Sequence, residues 1–130
     1  MNTESHQSQR PVTQEVTEAE LVTAAVAPRV TEEEVEANIR SEHYFTAADG
    51  VRGEANAQQE VAGPYPQSLD LLTFCVLVLQ NGFTVVGQSA CASPMNYNKD
   101  IGQALARKDA KGQIWAYMGY ELRSQLVSGN

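Results

Sequence analysis

Positive charge is scarce in this chain: nine Lys and Arg stand against sixteen Asp and Glu, for a net charge of −7 and an isoelectric point near 4.7. A protein that grips duplex nucleic acid presents a broad basic face, so this balance argues against such a partner. Histidine and cysteine are nearly absent as well, at two residues each. No Cys-x-x-Cys or His-x-x-x-His spacing occurs, so neither a metal site nor any other cofactor is expected. A nucleophilic enzyme needs a thiol or hydroxyl beside a base. Cys91 with His43 is the one conceivable pairing, and Cys91 reads better as a small strand residue, as free cysteines commonly are. No Gly-rich phosphate loop follows a strand and opens a helix, so catalysis is not expected.

Long apolar runs are missing too. The longest, Leu71 to Leu79, reaches about half of the ~20 residues that a membrane helix requires. No charged start followed by an apolar stretch of about 7–15 residues opens the chain, so a cytoplasmic location without membrane contact is expected. The 130 residues suit one domain, since domains commonly run to about 100–150 residues.

Charge is distributed unevenly. Up to Tyr65 there are four basic residues against twelve acidic ones, whereas the remainder carries five against four. Residues 1–30 contain no aromatic and are rich in Thr, Glu, Gln, Ser and Ala, a composition that buries too little surface to offset chain entropy. A disordered acidic tail is expected there, followed by a single α+β domain over 31–130.

Thr31 followed by Glu32, Glu33 and Glu34 forms a capping-box pattern. With Val35, Ile39 and His43 on one stripe, the spacing predicts a helix from Glu32 to about His43. From 46 to 67 turn formers dominate without a period, which predicts a long loop. Leu72–Gln80, Asn81-Gly82 and Phe83–Cys91 read as a β-hairpin closed by a two-residue type I′ turn. That register sets Val78 opposite Val85 and Cys75 opposite Gln88. It separates Cys75 and Cys91 onto opposite faces, so no disulfide is expected. Both faces of the hairpin are apolar, and an isolated ribbon is marginal in water. Helices are therefore expected on one side and a second subunit on the other, giving a homo-oligomer through the hairpin.

Ser93-Pro94 reads as a helix entrance. Tyr97, Ile101, Ala104, Leu105 and Lys108 follow one helical stripe, and Ile114, Trp115, Met118, Leu122 and Leu126 continue an apolar face. Two helices, or one bent near Gly112 or Gly119, are expected. Arg107 and Lys111 share a helix face and suit a phosphate clamp, with Arg123 as a third cation. The alternative for that face is a set of solvated pairs with Asp109 or Asp100. Ser93 and Asn96 lie beside the helix entrance, where free N–H groups attract anions. Phe83, Tyr97, Trp115, Tyr117 and Tyr120 are aromatics that could stack on a base, although residues such as Phe83 and Trp115 are more often core.

The strings Asn81-Gly-Phe-Thr-Val-Val-Gly-Gln-Ser-Ala-Cys-Ala-Ser-Pro-Met-Asn-Tyr-Asn98 and Asp100-Ile-Gly-Gln-Ala-Leu-Ala-Arg107 resemble the gene-49/gene-66 family of small tailed-phage proteins. Ile114-Trp115, Gly119-Tyr-Glu-Leu-Arg123 and the upstream Ser41-Glu-His-Tyr-Phe45 with Asp49-Gly50 extend the resemblance over about Thr31 to Leu126. It implies a phage protein acting in the cytoplasm of an infected or lysogenic bacterium. One branch resembles the first type of Thoeris anti-defence protein, which implies an oligomeric sponge that sequesters a cyclic ADP-ribose-type immune signal without turnover. The ligand-binding candidates on that reading are Phe83, Ser93, Asn96, Arg107, Lys111, Trp115 and Arg123. The competing expectation is an interaction module that blocks a host protein through the acidic stretch Glu32 to Glu42 and the tail.

Overall fold

The computed structural model describes residues 28–129, together with Thr17 and Ala19. The expected tail therefore lies almost wholly outside the described residues. Thr31 caps helix α1 (Glu32–Ala37): its hydroxyl accepts the Glu34 N–H while the Glu34 carboxylate accepts the Thr31 N–H, and three glutamates sit in the first turn. Both features satisfy or complement the open amides of a helix start.

The helix then ends early. Asn38 caps it, and strand β1 (Ile39–Thr46) occupies what the sequence reading assigned to the rest of a helix reaching His43. Val35, Ile39 and His43 are spaced by four, which fits a helical stripe, but the bulge after Ile39 sets Ile39 opposite Leu79 on the covered face and His43 opposite Val76 on the other. Pairing with β2 decides the matter. β1 runs antiparallel to β2 (Leu72–Leu79), with Tyr44 opposite Cys75 and Phe45 opposite Phe74, and with a bulge between Ile39 and Ser41. The sheet thus has three strands in the order β1-β2-β3, not two.

Residues 47–57 form a second helix, α2 (Ala47–Ala57), where a loop was expected. A second capping box starts it: Thr46 Oγ1 accepts the Asp49 N–H at 3.1 Å and Asp49 Oδ2 accepts the Thr46 N–H at 2.9 Å. Ala48 is buried beneath it. Thr46→Ala is expected to cost about 1 kcal/mol, the usual value of an N-cap, measured as a lower urea midpoint with an unchanged slope. A 3₁₀ turn (Gln67–Leu71) packs on α2 and leads into β2.

The hairpin is present, but its turn is one residue longer than the expected two-residue type I′. Leu79 N–H bonds Phe83 O and Gly82 N–H bonds Leu79 O, with Gly82 at φ +90°. Asn81 Oδ1 accepts the Phe83 N–H. This is a three-residue connection ending in a left-handed residue, for which glycine is suited. The added residue slips the register, so Leu77 faces Val85, Val76 faces Val86 and Cys75 faces Gly87 across β3 (Thr84–Ala90). Val85 moves to the covered face and Val86 to the open one. Both cysteines are free. The reason is distance along the strands instead of opposite faces: Cys91 lies four residues beyond Gly87, about 13 Å at strand rise, too far for a bridge.

Ser93-Pro94 opens only a short 3₁₀ turn (Pro94–Asn96). The long helix α3 (Lys99–Ser128) begins instead at Asn98, whose Oδ1 accepts the Ile101 N–H, and it runs unbroken for 30 residues past Gly112 and Gly119. Its buried seam is Gly102, Ala106, Ala110 and Ile114. The expected stripe of Ile101 and Leu105 is more than half exposed. Small side chains bring the helix against β3, where Gly87 meets Ala106 O and Ala110 N so closely that a Cβ would stand 2.1 and 2.3 Å from them. The core therefore lies between α3 and one sheet face, built from Val35, Cys75, Leu77, Leu79, Val85, Ala106, Ala110 and Ile114. At about 1.5 Å per residue α3 is about 45 Å long, against about 27 Å for an eight-residue strand, so its C-terminal turns overhang the sheet.

Candidate functional site

Two clusters of polar groups stand out, one on each side of Tyr44. The first is a charged seam between α1, β1 and α3. Arg107 donates Nη1 and Nη2 to the Glu36 carboxylate at 3.0 and 2.9 Å, and Nε and Nη2 to Glu42 at 3.1 Å each. Lys111 Nζ lies 2.6 Å from both Glu32 Oε2 and Glu36 Oε2. Glu32 and Glu36 share one face of α1, and Arg107 and Lys111 share one face of α3, so the four-residue spacings match. The Arg107 and Lys111 bonds hold the Glu36 carboxyl down to about 2. Glu42 is lowered by Arg107 and by the Tyr44 hydroxyl, which donates to it at 2.8 Å. Arg107 is raised by Glu36 and Glu42. Burial opposes the charge on Lys111, yet Glu32 and Glu36 raise it on balance.

Arg107 and Lys111 thus meet carboxylates from elements distant in sequence, not Asp109 or Asp100. Asp109 instead accepts the Gln88 N–H at 2.9 Å. A phosphate reaching this pair would have to displace three glutamates.

The second cluster lines a cleft of about 460 Å³ between the end of β1, the first turn of α2, the first 3₁₀ turn and the start of α3. Tyr44, Phe45 and Tyr97 supply its aromatic surface, Gln67 and Gln103 its amides, Arg52 and Lys99 its cations, and Asp49 and Asp70 its carboxylates. The Tyr97 hydroxyl lies 3.5 Å from Thr73 Oγ1. Arg52 donates to Asp49 Oδ1 at 2.6 Å and to the Tyr65 hydroxyl. Lys99 has no ion-pair partner among the described residues, whereas Arg52 is held by Asp49. The Asp49 carboxyl is lowered by its bond to the Thr46 amide. Burial raises the phenol of Tyr44, and the Glu42 bond raises it further.

The expected site residues are scattered. Phe83 stands at the hairpin tip, 55% exposed, edge-on to Tyr117 at 5.5 Å between ring centroids. Trp115 packs on the core. Asn96 lines a small pocket with Cys91, Tyr97 and Leu105 at the other end of the sheet, and Ser93 O accepts from the Cys91 thiol at 3.1 Å. Arg123 is exposed on the helix overhang. The structure joins Arg107 to Lys111, sets Trp115 one helical turn beyond Lys111, and leaves Phe83, Ser93, Asn96 and Arg123 apart from that pair. Cys91 and His43 are not brought together either: His43 pairs with Val76 and Cys91 with Leu71, about 17 Å apart along β2. Among the described residues no three His, Cys, Asp or Glu cluster as metal ligands would. No described helix is long and apolar enough to cross a membrane.

The sequence reading missed the cleft because its walls come from α2 and the 3₁₀ turn, both read as loop. A legible signal existed in Thr46 and Asp49, which repeat the capping pattern of Thr31 and Glu34.

An antiparallel three-stranded sheet backed on one face by a single long helix, with a polar cleft at the helix start, defines a small two-layer α+β domain. The chain belongs to the phage protein family described as the Phage protein (N4 Gp49/phage Sf6 gene 66) family, whose model matches residues 30–126. No curated protein and no solved structure matches it.

Proposed function

We propose that this phage protein binds a small phosphorylated nucleotide, of the cyclic ADP-ribose type, and sequesters it without turnover in the bacterial cytoplasm. The observation that carries the reading is the cleft at the start of α3, which combines aromatic faces, amides and Lys99, without an ion-pair partner among the described residues, in a volume suited to a ligand of that size. Tyr97 and Phe45 offer ring faces for a base, Gln67 and Gln103 offer amides to its edge, and Lys99 meets phosphate. A sponge that competes with a receptor needs a Kd near about 1 nM, or about −12 kcal/mol.

Titration calorimetry with a set of cyclic ADP-ribose isomers tests this. Lys99→Ala and Gln103→Ala are each expected to weaken binding about tenfold or more, the value of one charge-assisted bond. Arg107→Ala is expected to leave affinity within about twofold, because its guanidinium is already spent on carboxylates. Absence of heat with the wild-type chain sinks the reading, and so does recovery of a cleaved nucleotide after denaturation. The competing reading, a blocker that uses the acidic stretch Glu32 to Glu42, has less support because Glu32, Glu36 and Glu42 turn onto α3.

A further inference from the structure

Among the described residues a single polar side chain is buried: Thr73, 2% exposed, in the wall of the cleft. A buried hydroxyl is ordinarily held by a short bond. Thr73 Oγ1 has instead the Tyr97 hydroxyl at 3.5 Å, and either oxygen can donate. Hydroxyls that bond one another well lie about 2.7–2.8 Å apart. Each of the two carries a proton to give and lone pairs to receive one, so the pair is left with bonding capacity that their mutual contact does not use. A third oxygen set about 2.8 Å from both would take it up. Gly102 of α3 closes the far side: a Cβ there would stand 3.1 Å from Thr73 Oγ1, so the helix lies directly against the hydroxyl. The side left open is the cleft.

The chemistry around the pair says what kind of oxygen fits. Every charged residue that lines the cleft, Asp49, Arg52, Asp70 and Lys99, is exposed and stands at its rim. No buried cation therefore offsets the cost of bringing a phosphate down to Thr73, and a neutral oxygen suits the floor better. A sugar hydroxyl receives a proton from one hydroxyl of the pair and gives its own to the other, leaving nothing unmet. A second acceptor stands in the same cleft: Asp70 has no ion-pair partner among the described residues. The order of the groups agrees. Phe45 lies on β1, Thr73 on β2 opposite the neighbouring Thr46, and Tyr97 leads to Lys99 at the start of α3. Aromatic face, hydroxyl pair and cation thus succeed one another as base, sugar and phosphate do in a nucleotide.

We infer that the Thr73 and Tyr97 hydroxyls seat one hydroxyl of a ribose vicinal diol, whose other hydroxyl donates to Asp70, so that the cleft takes ribose and discriminates against deoxyribose. The inference rests on the reading of the cleft as a nucleotide site and fixes how the ligand lies in it. The sugar is deepest, the base lies on the Phe45 side and the phosphate stays at the rim with Lys99.

Titration of the full chain with ribose 5-phosphate and with 2-deoxyribose 5-phosphate, followed by NMR, tests the seat without a base. The ribose compound, of about 14 heavy atoms, is expected to bind with a Kd on the order of 1 mM, the usual efficiency for its size. The deoxy compound is expected to bind at least about fivefold more weakly, because the missing hydroxyl leaves polar groups of the cleft unmet. Tyr97→Phe, which keeps the ring, and Thr73→Val, which keeps the shape, are each expected to level the two affinities at an unchanged urea midpoint, whereas Thr73→Ser keeps the preference. Equal binding of the two sugars by the wild type, or binding of neither, overturns the inference. So does a preference that survives both Tyr97→Phe and Thr73→Val. Calorimetry with the cyclic ADP-ribose isomers separates the two readings: no binding of those isomers beside an intact ribose preference sinks the proposed ligand and leaves the seat, and tight binding of them beside equal affinity for the two sugars does the reverse.

Discussion

Gly87→Ala is expected to cost more than about 3 kcal/mol of folding stability, beyond the usual overpacking penalty because the obstacle is backbone. The added Cβ would lie 2.1 Å from Ala106 O, 2.3 Å from Ala110 N and 2.8 Å from the Ala110 Cβ. None of these atoms can swing aside as a long side chain would. Either α3 lifts from β3, opening the seam of Ala106, Ala110 and Ile114, or the strand bends away from Asp109 and Gln113. A domain of this size has roughly 5–15 kcal/mol in all, so the loss is a large share. Gly112→Ala provides the contrast: nothing lies within 4 Å of its would-be Cβ, and the change is expected to add up to about 1 kcal/mol through better helix propensity. Urea unfolding of the pair reads both directions, and a neutral Gly87→Ala would refute the close approach.

Arg107→Ala is expected to be the next largest effect, a destabilisation of about 1–2 kcal/mol. Its fork holds two carboxylates, and its loss leaves Glu36 beside Glu42 with like charge between them. The loss stays this small because both glutamates are more than one third exposed and water screens them. The pH dependence gives a second signature. Glu36 is lowered from 4.5 to about 2 in the folded chain, so the unfolded chain binds the proton first as pH falls. Stability from this group is full above about pH 4.5 and is lost progressively down to about pH 2. Glu36→Gln should flatten that part of the stability curve. An acid limb as steep in the variant as in the wild type would show that the seam contributes nothing there.

Much of the fold was legible where local chemistry and tertiary packing agree. The Thr31 box, the two strands around Asn81-Gly82 and the apolar run from Ile114 to Leu122 all stand where their residues suggested. The errors share a physical origin in signals that two structures satisfy equally. A spacing of four at Ile39 and His43 suits a helix and equally an unbulged strand, and only the pairing with β2, with its bulge after Ile39, settles it. Asn-Gly suits a two-residue turn and also the end of a three-residue one, and the choice moved Val85 and Val86 to opposite faces. The buried seam of α3 was hidden because it is made of Gly and Ala, while Ile101 and Leu105, the obvious apolar residues, face outward. Glu36 and Arg107, 71 residues apart, have no local signal at all. For the same reason the cleft, assembled from four separated segments, could not be read from spacing.

The overhang of α3 gives the molecule two regimes of motion. Beyond Met118, which still touches the core, the ten residues to Ser128 hold their shape by helix hydrogen bonds, with little packing from the described residues beneath Tyr120 or Val127. Helical turns without tertiary support are marginal in water, so this end frays and re-forms on its own, independently of global unfolding. Amide exchange would run fast from Gly119 to Ser128 and slow sharply at Met118, where the helix meets the body of the protein.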